Sequence, residues 1–133
     1  YGPRVRICKV FTELPLEVDS PLDMGVQAFC ETCKLCADKC PSKAIISGER
    51  TDKPWNSANN INVLKWPINA VDCQGWWHKN ESSCSNCIRV CPYNKPEGWL
   101  HSMVKKTVKT TPLFNRFFIK MDQAMGYGKQ VIK

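Results

Sequence analysis

The chain opens on alternation. Over residues 1–11, Val5, Ile7 and Phe11 alternate with Arg4, Arg6 and Val10 after a Gly2-Pro3 break, which predicts a strand. Leu14-Pro15-Leu16 and Ser20-Pro21 predict a loop, because proline lacks a donor and turns its predecessor away from helix. Residues 30–40 predict a Cys-rich turn and short helix ended by Pro41, and Ala44-Ile45-Ile46 a short strand. Residues 47–62, with Pro54 and four Asn, read as a polar connector without regular structure. Residues 63–66 predict a strand stopped by Pro67, and residues 84–91 a second Cys-rich turn closed by Pro92.

The periodicity then lengthens. Leu100, Val104 and Val108 fall at i, i+4 and i+8, one helical face. Thr111-Pro112 is a helix start, with Thr at the cap and Pro in the first turn. Leu113, Phe114, Phe117, Phe118, Met121 and Met125 recur at helical spacing, and Gly126 and Gly128 supply the stop. This stripe reads as core packing, against this domain or another.

The chain's 133 residues suit one domain, and a composition 43% hydrophobic and 23% charged excludes wholesale disorder. No apolar stretch approaches the roughly 20 residues of a membrane helix. No basic-then-apolar leader opens the chain, and residue 1 is Tyr, so the sequence is expected to be processed or part of something longer.

Nine cysteines carry the chemistry. Cys30-x2-Cys33-x2-Cys36-x3-Cys40-Pro41 matches the bacterial ferredoxin run, and Cys84-x2-Cys87-x3-Cys91-Pro92 is three-quarters of a second, with Cys73 upstream as its missing member. Three cysteines on a tight turn reach three iron corners of one cubane, while the fourth points to the other cubane. One cluster would then take Cys30, Cys33, Cys36 and Cys91, and the other Cys40, Cys73, Cys84 and Cys87. Two zinc ions would call for paired knuckles, and a disulfide framework does not need such triplets. Cys8, in the first predicted strand, reads as a small buried hydrophobe outside both clusters.

The clusters change the charge argument. The formal +7 suggests nucleic acid, but eight thiolates on two cubane cores add about −4 and leave roughly +3. Lys105-Lys106 is the only adjacent basic pair and no reader motif is present, so no nucleic-acid partner is expected. The elements predict an α+β, ferredoxin-like double [4Fe–4S] domain with irregular loops and C-terminal helices. Its parts are a leading strand and loop (1–23), the cluster domain (24–98) and a helical extension (99–133).

Residues 2–12, Phe29-Cys30-Glu31-Thr32-Cys33-Lys34-x-Cys36, Cys40-Pro41-Ser42-Lys43-Ala44-Ile45, Cys73 with Trp77, the 84–92 run and Met121-Asp122-x-Ala124-x-Gly126-Tyr127-Gly128 together resemble the corrinoid-dependent reductive dehalogenases. The resemblance covers nearly the whole chain. It implies an internal fragment, with the corrinoid-binding part and the proton-donating Tyr upstream, and two clusters relaying electrons to cobalt for the reduction of an organohalide. It further implies that Arg6 matches an active-site arginine and that Trp77 lines a narrow substrate cavity. Trp76, His78 and His101 receive no role, and Asn80-Glu81-Ser82 is a sequon frequent by chance. An external electron donor, a small membrane-anchor protein and a place on the outer face of the cytoplasmic membrane are implied in the same way. Two alternatives stand beside this reading: a stand-alone two-cluster ferredoxin-type carrier, and a corrinoid enzyme of the epoxyqueuosine reductase type.

Overall fold

Gly25 sets where the first helix starts. It adopts φ 70°, its N–H donates to Asp23 Oδ1 at 2.8 Å, and helix α1 (Val26–Cys33) follows. In this computed structural model, which describes residues 5–95 and 98–127, α1 ends at Lys34, whose φ of 53° turns the chain straight into α2 (Leu35–Asp38). Helix α3 (Ala70–Asn80) comes next, then α4 (Asn86–Arg89), entered through Ser85 at φ 51°. The chain closes with α5 (Trp99–Thr110), a 3-10 turn over Pro112–Phe114 and α6 (Asn115–Ala124).

No strand occurs among the described residues, which corrects the α+β expectation. The predicted strands at residues 44–46 and 63–66 shrink to two isolated antiparallel bridges, Ile45 with Ile68 and Thr51 with Lys65. Residues 5–11 form no strand either. Their side chains are exposed, Cys8 included, and a strand without a partner edge leaves its backbone groups to water. The remainder of that expectation (residues 1–4) and the stop at Gly128 lie outside the described residues.

The polar connector lacks regular structure, as expected, yet it is pinned by side chains. Asn59 Oδ1 accepts from the Trp55 N–H at 2.9 Å while its Nδ2 donates to the Ile68 carbonyl at 2.9 Å. Arg50 reaches across to α1, donating to Gln27 at 2.8 Å and pairing with Glu31 at 2.9 Å. Trp66 Nε1 donates to the Gly48 carbonyl at 3.0 Å, and Lys34 also donates to that carbonyl. Asn56 and Asn59 thus replace a backbone ladder with amide hydrogen bonds.

A thin core sits between the cysteine runs. Phe29, Leu35, Ala37, Ala44 and Val90 are buried, and Phe29 meets the Tyr93 ring edge-on at 5.2 Å. Helix α2 packs on α4, while α1 packs on both α5 and α6. The C-terminal stripe divides: Val108 is buried and Phe118 and Met121 turn toward Phe29 and Tyr93, whereas Leu113, Phe114 and Phe117 face outward.

Gly25 is required on two counts. Its φ disfavours any side chain, and a Cβ there would stand 3.0 Å from Lys109 Cα on α5. Gly25→Ala is expected to cost about 1–3 kcal/mol of stability. Gly75→Ala, at an interior position of α3 with nothing within 4 Å, should be neutral or stabilise by about 0.5–1 kcal/mol. Denaturant titration of the cluster-loaded protein checks both.

Candidate metal centre

The two cysteine runs fold as copies of one device. In the first, the Lys34 carbonyl accepts from Ala37 and Asp38, both at 3.0 Å, and Lys39 donates to Leu35 at 3.0 Å. The Cys40 N–H then donates to Ala37, and the Lys43 N–H to Cys40, both at 3.2 Å. In the second, Ser85 accepts from Ile88 at 3.1 Å and Arg89 at 3.0 Å, and Val90 donates to Asn86 at 3.0 Å. Cys91 donates to Ile88 at 3.3 Å and Asn94 to Cys91 at 2.9 Å. Each run places a left-handed residue directly after a cysteine, Lys34 after Cys33 and Ser85 after Cys84. That turn aims successive N–H groups at the sulfurs, the geometry of an anion-binding nest.

The third element of the centre is α3, which carries Cys73. The sequence reading placed no helix there, because its residues show no apolar face and none of them is buried. Its start is local: the Asn69 side chain accepts from the Asp72 N–H at 3.3 Å and donates to the Asp72 carboxylate at 2.5 Å. An Asn followed three residues later by an acid was the one signal available.

The thiols influence one another within and between the two runs. Burial pushes the Cys30 thiol up to about 11, with Cys91, Cys36 and Glu31 adding like-charge repulsion. Burial pushes Cys33 to about 12, opposed by the Leu35 N–H and reinforced by Cys30, Cys91 and Cys36. Cys73 is raised by burial, then by Cys40 and Cys84. Burial also raises Cys87, against the Ile88 N–H, with Cys73, Cys36 and Cys40 adding to it. Cys36 acts on Cys87 and on Cys91 alike, so the two runs and Cys73 form one connected set of thiols. All are free thiols, and Cys8 stands apart, exposed on the extended segment.

These residues fit two [4Fe–4S] cubanes. Eight thiols cannot ionise together in a partly buried site unless a positive core offsets them, and a cubane with cysteine thiolates supplies that core. Among the described residues, no three His, Cys, Asp or Glu side chains are arranged to hold a single metal ion. N–H donors from Leu35, Ala37, Ile88, Tyr93 and Asn94 face the sulfurs of Cys33, Cys36, Cys87 and Cys91.

The other two candidate residues sit differently. Trp77 lies on α3, four residues from Cys73, and is 44% exposed. Arg6 is exposed on the irregular segment, and nothing in the structure brings it to the cysteines.

The fold and the paired cysteine runs define a double [4Fe–4S] cluster domain, and residues 29–94 match the family model described as a 4Fe-4S double cluster binding domain. The chain is a homologue of the reductive dehalogenases. It is 42% identical over 128 residues to the tetrachloroethene reductive dehalogenase of Sulfurospirillum multivorans, covering 96% of this chain and 26% of that protein. A solved reductive dehalogenase, described with a mechanism for B12-dependent dehalogenation, superimposes with a TM-score of 0.75 at 28% identity, over 87% of this chain and 16% of that one. The epoxyqueuosine reductase of Lactococcus garvieae is 30% identical over 98 residues, 71% of this chain and 25% of that protein. The chain thus spans about a quarter of the length of these curated relatives.

The raised thiols fix a pH response. Because protonation is favoured in the folded state, their contribution is full below the ordinary thiol value of 9.0 and is lost as pH rises through about 11 for Cys30 and about 12 for Cys33. Cluster-free protein is expected to unfold progressively across that window. Protein with its thiolates bound to iron should not show this transition, and circular dichroism against pH compares the two.

Proposed function

We propose that this chain is the electron-relay part of a corrinoid-dependent reductive dehalogenase, which carries out R–X + 2 e⁻ + H⁺ → R–H + X⁻. The observation that carries the reading is a pair of like-folded cysteine runs with Cys73 beside them, within a chain homologous to reductive dehalogenases over nearly all its length. In this reading Cys30, Cys33, Cys36 and Cys91 hold one cluster and Cys40, Cys73, Cys84 and Cys87 the other. When bound, the clusters supply single-electron transfer and the corrinoid supplies the reducing metal at which carbon–halogen cleavage occurs.

The chain's own residues have three tasks. The cysteine turns fix the sulfurs and direct N–H donors at them, which favours their thiolate form. Arg6, on its exposed segment, presents a fixed positive charge toward the corrinoid-binding part, where it favours an ionised proton donor. Trp77 offers an apolar face from α3 as a wall of the substrate cavity. The activity named for the Sulfurospirillum relative makes chlorinated alkenes the first substrates to test. An external electron donor, a small membrane-anchor protein and a site on the outer face of the cytoplasmic membrane belong to the same proposal, and no nucleic-acid partner does. The described residues contain no helix long and apolar enough to cross a membrane.

The rival corrinoid reading, epoxyqueuosine reduction, rests on a shorter match at lower identity. A stand-alone carrier would dispense with the corrinoid part altogether. Anaerobic iron and sulfide analysis with low-temperature electron paramagnetic resonance, on the longest polypeptide encoding this chain, decides between zinc and cubanes. Dehalogenation by that polypeptide then separates the dehalogenase from both rivals.

Cys91→Ala is expected to remove the cluster shared with Cys30, Cys33 and Cys36 and to leave about half the iron; unchanged iron would refute the crossed ligation. Arg6→Ala in the full polypeptide should lower turnover about 100-fold or more while iron content is kept. Wild-type rates would remove Arg6 from the site.

A further inference from the structure

The two cysteine runs share one backbone pattern but differ at one interior position. Four residues after Cys40 stands Ala44, with 0% exposure, and four residues after Cys91 stands Lys95, with 3%. A buried ammonium in place of a methyl group is costly unless the surroundings hold it. Here they do. Lys95 Nζ pairs with Asp122 Oδ1 at 3.2 Å, from α6, and lies 3.6 Å from the centre of the Tyr127 ring. Asp122 Oδ2 is buried without a hydrogen-bond partner, so this carboxylate is committed to the lysine.

We propose that Lys95 makes the two clusters unequal in reduction potential, by holding a water-shielded positive charge beside the cluster of Cys30, Cys33, Cys36 and Cys91. The inference rests on the crossed ligation proposed above. Reduction adds one negative charge to a cluster, so a nearby cation favours the reduced form and raises its potential. Lys95 directly follows Asn94, whose N–H donates to the Cys91 carbonyl at 2.9 Å, so this turn ties the lysine to Cys91. Asp122 offsets part of the effect and so sets its size. At the equivalent place beside Cys40, Ala44 provides no charge. The consequence is direction: a single electron settles preferentially on the cluster of Cys91.

The test uses the full cluster-loaded polypeptide, with each cluster's midpoint followed by electron paramagnetic resonance during reductive titration. The signal lost in Cys91→Ala identifies the cluster near Lys95. Lys95→Gln should make reduction of that cluster about tenfold less favourable, which is 59 mV for a one-electron couple, and leave the other unmoved. Asp122→Asn should shift the same midpoint upward, and Lys95→Arg should hold the wild-type value. With both clusters present, an unmoved midpoint in Lys95→Gln, or an equal shift of both clusters, overturns the inference. If Lys95→Gln fails to load, an unmoved midpoint in Asp122→Asn overturns it. Failure of the crossed ligation itself would appear separately, as full iron in Cys91→Ala.

Discussion

Eight thiols brought into one small interior impose the constraint on which the rest of this structure depends. Burial first, and the neighbouring sulfurs after it, push Cys30 and Cys33 above the ordinary thiol range. Only a positively charged core and well-aimed N–H donors reconcile that many sulfurs with a folded state. The short helices follow from this need. Helices α2 and α4 are four residues each, too short to persist unaided, and serve to turn N–H groups toward sulfur. With a core of Phe29, Leu35, Ala37, Ala44 and Val90, the apolar contribution is slight. In the proposed crossed ligation, the clusters draw on both halves of the chain and tie residues 29–94 together.

The centre was more legible in the sequence than the fold around it. Cluster ligation demands cysteines at fixed short spacings, and such spacings are visible without a third dimension. The position of Cys73 is another matter, since its helix buries none of its residues and is fixed at its start by one capping Asn. The connector's asparagines announced a loop but not the amide network that holds it. Alternation over residues 5–11 pointed to a strand that does not form. Alternation reports a half-buried environment, and among the described residues no edge supplies one.

The C-terminal helices show the same limit from the other side. Their helical spacing was plain, and so was an apolar stripe. What the stripe could not reveal is that the polar Asp122 on α6 is as deeply set as the apolar Val108 on α5. A buried carboxylate makes sense only once Lys95 is found against it, and Lys95 only once the two runs are compared position by position. Helix α6 therefore does more than cover α1: it brings a counter-charge to Lys95 in the second run.

The exposed apolar surface completes the argument. Ile7, Phe11, Val18 and Leu22 on the leading segment, with Trp99, Leu113 and Phe117 from the C-terminal part, all stand largely in solvent. Isolated apolar residues on a surface mean little, but an irregular segment with this many is poorly suited to water. The dehalogenase reading accounts for it. Relatives run about four times the length of this chain, and an alternating segment whose partner edge lies in the remainder keeps its pattern here without its ladder. Arg6 sits in that segment and not at the cysteines. Under the proposed function, a residue acting at the corrinoid would stand on such a segment, and the cysteines, whose task is internal, are folded among themselves.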